Sequence, residues 1–181
     1  AFADVDNGGF EAPEVTNAAG WDIFPDGATG LDWTVEWAGA YTGAPETPFL
    51  ELHGGVNGWL PNSGDQYAEL DTDWQGPGGP SGEEASVRIS QITDVLDGYN
   101  YVLEYFWSPR PGHADNKLLV EVDDGELARH SDSGVGETQT NWTGEEYIVP
   151  ASGDTITIDD ATNSIRSTSG FGPVKTSSTH P

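Results

Sequence analysis

Short runs in which apolar and polar residues alternate recur along this chain, each broken by glycine or proline, and no long stretch sustains a helical i, i+3, i+4 pattern. In a strand, successive side chains point to opposite faces. "LDWTVEW" (31–37) then places Leu31, Trp33, Val35 and Trp37 on one face, and "ASVRISQI" (85–92) does the same with Ala85, Val87 and Ile89. "YNYVLEYFW" (99–107) aligns Tyr99, Tyr101, Leu103, Tyr105 and Trp107. "KLLVEVDDGELARH" (117–130) reads as two strands around Asp124-Gly125, a hairpin signal. "EEYIVP" and "DTITID" follow. The pattern predicts an all-β jelly roll or β-sandwich of roughly eight to ten antiparallel strands. The 181 residues are expected to form a single domain over 1–174, followed by a polar tail, 175–181.

Two stretches lack strand character, "HGGVNGWLPNSG" (53–64) and "QGPGGPSGEE" (75–84). Both read as long loops, the segments on which binding residues concentrate. The chain has no cysteine, so no disulfide staples it, and no methionine. Its opening "AFADVDNGGFE" reads as a processed end, which points to a secreted, extracellular or cell-surface protein. Thirty-one acids against six bases give a formal charge of −25. That balance opposes nucleic-acid binding, which needs clustered Lys and Arg. No apolar run is long enough for membrane insertion as a helix.

The acids are not spread evenly. "GDQYAELDTDW" (64–74), read as one strand, puts Asp65, Glu69, Asp71 and Asp73 on a single face with Tyr67. Alternate residues lie about 7 Å apart, so each like-charge pair costs only about 0.6 kcal/mol in water. A solvated outer face and a bound cation both answer this arrangement. Tyr67 within the acidic face, and oxygen-rich loops nearby, lean toward Ca2+, which takes six to eight oxygen ligands.

"SPRPGHADN" (108–116) is the second constellation. Pro109 and Pro111 stiffen a turn that offers Arg110 and His113 to a ligand, with Asp115 and Asn116 as hard oxygen donors; a rigid turn with a surface ion pair is the alternative. In "NGGFE" (7–11), Asn7 and Glu11 offer oxygens while Phe10 enters the core. "DDATNS" (159–164) is another oxygen-rich loop. Trp59, flanked by Gly58, Leu60 and Pro61, is expected to be the most exposed indole and a stacking surface for a sugar or a partner side chain; core filling is the alternative. "NWT" (141–143) matches the glycosylation acceptor pattern. No nucleophile elbow, HExxH, P-loop or Cys-His pair occurs, so no enzyme is expected.

These motifs, taken in order with "GLDWTVEW", "LELHGGVNGWLPNSGDQYAELDTDW", "ISQI", "YNYVLEYFWSPRPGHADNKLLVEVDDGEL" and "DATNS", resemble exported bacterial β-sandwich modules similar to carbohydrate-binding modules, as found in RTX-type adhesins. The resemblance covers roughly residues 7 to 171. It implies a jelly roll without catalysis, bound calcium, and recognition of a glycan or peptide end at a cell surface. By motif it assigns Asp65, Glu69, Asp71, Asp115, Asn116, Asn7 and Glu11 to metal, and Arg110 to the same region. One departure is plain: where such modules close with a strand of type "GxFxDDVxV", this chain has "SGFGPVKTSSTHP", with Gly172 and Pro173 in place of the acids.

The resulting expectation is a secreted, non-catalytic calcium-binding sandwich for adhesion or glycan or peptide binding, contacting its ligand through Arg110, His113, Trp59 and Tyr67. The alternative is a self-assembling subunit of an extracellular filament, a homo-polymer. Its motive is the tail "KTSSTHP", which lacks an apolar anchor and would fray alone. A neighbouring copy, or the chain's own surface, would have to hold it.

Overall fold

A computed structural model of the chain describes residues 5–80, 84–93, 100–149, 155–159, 169–171 and 175–179. The strands are β1 (Trp21–Pro25), β2 (Thr34–Trp37), β3 (Phe49–His53), β4 (Tyr67–Glu69), β5 (Asp71–Asp73), β6 (Glu84–Ile92), β7 (Asn100–Pro109), β8 (Asn116–Val122), β9 (Gly125–Asp132), β10 (Thr143–Val149), β11 (Thr155–Asp159), β12 (Ser169–Phe171) and β13 (Lys175–Thr179). They form two antiparallel sheets. One runs β1-β3-β4-β12-β7-β10, with β13 also on β7; the other runs β2-β6-β11-β8-β9, with β5 also on β6. The expected all-β sandwich is what the chain forms. The strand segments outnumber the expectation partly because the 64–74 run is two short strands, not one.

The alternating runs do what their period requires. Leu31, Trp33 and Val35 are buried, as are Ala85, Val87 and Ile89 on β6. On β7, Tyr101, Leu103, Tyr105 and Trp107 turn inward, facing Leu118 and Val120 of β8 within one apolar cluster. Leu50 and Leu52 of β3 and Ala68 of β4 complete it from the same sheet as β7. The β8–β9 hairpin turns at Asp123–Asp124, one residue earlier than expected: Val122 pairs with Gly125, and both aspartates have positive φ (49° and 60°). That is the backbone a two-residue hairpin turn of the primed type demands.

Phe10 enters the core as expected, stacked on Trp33 with centroids 5.4 Å apart. Gln66 ties this N-terminal segment down. Its Nε2 donates to the carbonyls of Phe10 and Pro13, and its Oε1 accepts the Val15 N–H. At the other end of the chain, residues 175–179 run as β13 beside β7, Lys175 opposite Glu104 and Thr179 opposite Asn100. Of the supports the tail needed, the ladder of the chain's own sheet is the one it has. Loop 160–164 with its "DATNS", and Gly172 and Pro173, lie outside the described residues. Among the described residues no helix is long and apolar enough to cross a membrane.

The turn after β7 is held by a second chain segment. The Gly112 N–H donates to the Gly134 carbonyl (2.7 Å), and the Gly134 N–H donates to that of His113 (2.8 Å). A Cβ on residue 134 would overlap the Arg110 carbonyl. Gly134→Ala should therefore cost about 1–3 kcal/mol, read as a lower urea midpoint at unchanged m-value. An unchanged midpoint would show that the 110–113 turn is not locked in this way.

Candidate functional site

The site begins with a bend. The acidic run starts in one sheet as β4, crosses at the buried Leu70, and continues as β5 against β6 of the other. The four acids therefore do not share one solvated face. Asp65 is exposed, Asp73 is half-buried, and Glu69 and Asp71 are buried.

With Leu52 and Ala68 turned into the sandwich, Glu51 and His53 of β3 and Tyr67 and Glu69 of β4 must point to the outer face of the seven-stranded sheet. Register places Glu51 opposite Glu69 and His53 opposite Tyr67. All four are buried there, with Glu51 5 % exposed and His53 and Glu69 each 1 %. His53 links two of them. Its Nε2 lies 2.5 Å from Glu51 Oε1, and its Nδ1 lies 3.1 Å from the Tyr67 hydroxyl. In the neutral imidazole the Nε2–H donates to the carboxylate and the Tyr67 O–H donates to Nδ1. Glu51 Oε2 accepts the Asp73 N–H as well. Glu69 Oε1 has no hydrogen-bond partner among the described residues.

Burial pushes the Glu69 carboxyl above the ordinary carboxylate range; Arg110 and His53 pull it back, while Glu51 adds to the rise and the Asp71 N–H opposes it. Burial, then the charge of Glu69, raises the Tyr67 hydroxyl too, with Arg110 opposing, so it remains an O–H donor.

Two loops roof this face. Loop 54–66 carries Trp59, whose ring lies 6.4 Å from His53 and has the Arg110 guanidinium 5.7 Å from its centre. Segment 137–142 brings Trp142 edge-on to Tyr67 at 5.2 Å. The loops hold each other: Gln139 donates to the Gly58 carbonyl, and the Thr140 hydroxyl and the Trp142 indole both donate to that of Leu60. The Asn141 N–H donates to Ser108 Oγ and anchors the second loop on β7. Of the two readings of Trp59, burial is the one the structure shows: it is 8 % exposed, with His53 and the Arg110 guanidinium against its ring, and Leu60 beside it is the residue left outside, at 65 %.

The expected metal donors lie in several places. Asn116 Oδ1 accepts the Arg110 N–H and its Nδ2 donates to the His113 carbonyl, so its amide shapes the 110–116 turn. Asp115 on that turn is exposed. Glu11 accepts the Asp65 N–H with both oxygens. Asn7 Nδ2 faces three backbone carbonyls, those of Ala12 (2.5 Å), Gly30 (3.1 Å) and Leu31 (2.9 Å). Among the described residues no three His, Asp or Glu side chains are grouped to hold a metal ion. Of the four expected ligand contacts, Trp59, Tyr67 and Arg110 meet at the outer face, while His113 contributes its backbone to the turn. Sequence reasoning missed Glu51, His53 and Trp142. The first two were visible as an i, i+2 pair matching Tyr67 and Glu69; nothing marked Trp142.

No family model and no curated protein matches the chain. Solved structures do. A cyclase from Fischerella sp. TAU, crystallised with 4-(1H-indol-3-yl)butan-2-one, superposes with a TM-score of 0.62 at 15 % identity, covering 99 % of this chain and 98 % of that one. The K3 cleaved adhesin domain of Lys-gingipain from Porphyromonas gingivalis W83 gives 0.54 at 11 % identity over 86 % and 96 % of the two chains. The K2 adhesin domain of Lys-gingipain gives 0.53 at 10 %, over 98 % and 97 %. The likeness is one of fold. At such identities it carries no residue across, and the β-sandwich it supports hosts both a catalyst and adhesin domains.

The raised Glu69 carboxyl sets a pH dependence. A group that binds its proton more tightly when folded adds stability below its unfolded value, and that stability is lost as pH rises through the folded value. Wild type should therefore lose stability on the alkaline side of the ordinary carboxylate range, and Glu69→Gln should lose less. Denaturant midpoints followed across pH check this; parallel curves for the two proteins would contradict it.

Proposed function

We propose that this chain is a secreted, non-catalytic β-sandwich that takes a glycan or a peptide end on the outer face of its seven-stranded sheet. The observation that carries this reading is the combination of Trp59, Tyr67 and Trp142 with the buried polar groups of Glu51, His53 and Glu69 and with Arg110. Aromatic walls around a few fixed polar groups are the chemistry of small-ligand recognition. Sugars present an apolar face for rings and hydroxyls for the polar floor. Adhesin domains among the fold neighbours, and the strongly acidic surface, suit an extracellular setting.

Calcium belongs to the proposal as a structural ion. The Asn7 amide nitrogen faces three carbonyls, those of Ala12, Gly30 and Leu31, which are hard donors of the kind calcium takes, while its own oxygen accepts the Ala12 N–H. A filament has less motive, since residues 175–179 already pair inside the chain's own sheet.

A second reading, an acid–base enzyme, is favoured by the hydrogen-bonded Glu51–His53–Tyr67 chain beside a buried carboxyl. Release of new reducing ends from oligosaccharides by the wild-type protein would decide for it.

Two outcomes are expected. Trp59→Ala should weaken oligosaccharide binding in calorimetry by at least about 2 kcal/mol, about thirtyfold in Kd; unchanged affinity contradicts the site. Calcium added to chelator-treated protein should raise Tm, corresponding to about 2.7 kcal/mol at a hundredfold excess over Kd. Asn7→Ala should abolish that rise, and a rise that persists places the ion elsewhere.

A further inference from the structure

The "NWT" motif (141–143) gives its middle residue to the roof and leaves the other two outside. Trp142 lies edge-on to Tyr67, and its indole donates to the Leu60 carbonyl. Asn141 and Thr143, on either side of it, are exposed. The backbone of Asn141 is fixed, because its N–H donates to Ser108 Oγ, yet its carboxamide makes no hydrogen bond among the described residues. The side chains of Asn7, Asn17 and Asn116 are used differently, each bonded to neighbouring backbone. Asn141 thus offers a side chain the fold does not use, on a segment the fold holds in place. Of the eight asparagines in the chain, it alone is followed two residues later by serine or threonine.

We infer that Asn141 is a glycosylation site, which receives an N-linked glycan from an oligosaccharide carried on a polyprenyl phosphate or diphosphate. In the transfer the Asn141 Nδ2 forms a bond to the anomeric carbon of the first sugar while the bond from that carbon to a phosphate oxygen breaks. The lipid phosphate leaves with the electron pair, and the amide gives up one of its two hydrogens as a proton. Thr143 supplies the hydroxyl that the acceptor pattern requires, and the residue between is tryptophan, not the excluded proline. Folding puts nothing in the way: the acceptor amide already faces solvent, and no native contact is lost when it is substituted. Thr140 and Trp142 both hold the Leu60 carbonyl, so the glycan stands on the outside of the roof beside the exposed Leu60, clear of the rings beneath. The inference shares with the proposed function only its exported setting and does not use the ligand site.

The test is made on the protein isolated from the organism that produces it. Cleavage after Arg129 and Arg166 leaves Asn141 on one peptide, 130–166, with Asn163 as an internal comparison. Mass spectrometry with fragmentation should find this peptide heavier by whole sugar units, with the added mass on Asn141 and none on Asn163. Produced in the same organism, Asn141→Gln and Thr143→Ala should lose the addition, and Thr143→Ser should keep it. Glutamine at 141 retains the backbone N–H that binds Ser108, so the circular dichroism spectrum of that variant should match the wild type's. Peptide 130–166 at its unmodified mass in exported protein, or sugar that persists on it in Asn141→Gln, overturns the inference and leaves the ligand site standing. Unmodified protein found only inside the cell overturns the exported setting as well.

Discussion

Two glutamates set against each other under a roof are the constraint around which the rest of this protein is arranged. Glu51 and Glu69 are paired across β3 and β4 and both are buried, and like charges directly opposed across a ladder are destabilising. His53 answers one of them directly, and the backbone answers both: the bend at Leu70 turns the N–H groups of Asp71 and Asp73 toward the pair. A continuous strand would have kept residues 71 and 73 in the same ladder and denied Glu51 and Glu69 those donors. The break in the acidic run and the survival of two buried acids are one fact seen from two sides.

The sandwich supplies what such a site needs. Its interior is apolar and built from long alternating strands, so the outer face inherits a fixed grid of positions. The loops are fastened to this frame by backbone carbonyls and one serine hydroxyl. Leu60 and Gly58 carbonyls receive the facing loop, Ser108 receives Asn141, and Gly134 pins the Arg110 turn. Aromatic side chains then fill the space between loop and sheet. This division of labour explains how one fold can be shared with a cyclase and with adhesin domains at 10–15 % identity.

Period carried most of the fold into the sequence. The runs at 31–37, 85–92 and 100–107 are buried on the faces their alternation marks, because a half-buried strand has few other ways to satisfy it; Tyr99 lies outside the described residues. What period cannot show is where a strand changes sheets. The 64–74 run alternates perfectly on paper, yet crosses at Leu70, and so the acids expected on one face are divided between exposed and buried positions. Trp59 stayed ambiguous for a related reason: its glycine and proline neighbours mark a loop, but whether a loop tip lies open or folds back over the sheet depends on partners such as Arg110 and His53, distant in sequence. Tyr67, Trp59 and Arg110, singled out from the sequence, lie together on the outer face, while Glu51 and His53 read from sequence as ordinary strand alternation.

The account stands or falls on ligand reaching the outer face beneath the two loops. The seven tryptophan indole N–H signals report this in one nuclear magnetic resonance titration with a neutral oligosaccharide. Trp59 and Trp142, which wall the site, should move, while Trp33, whose indole donates to the Asn7 carbonyl at the far N-terminal packing, should stay still. Movement of other indoles with Trp59 and Trp142 silent would contradict the account.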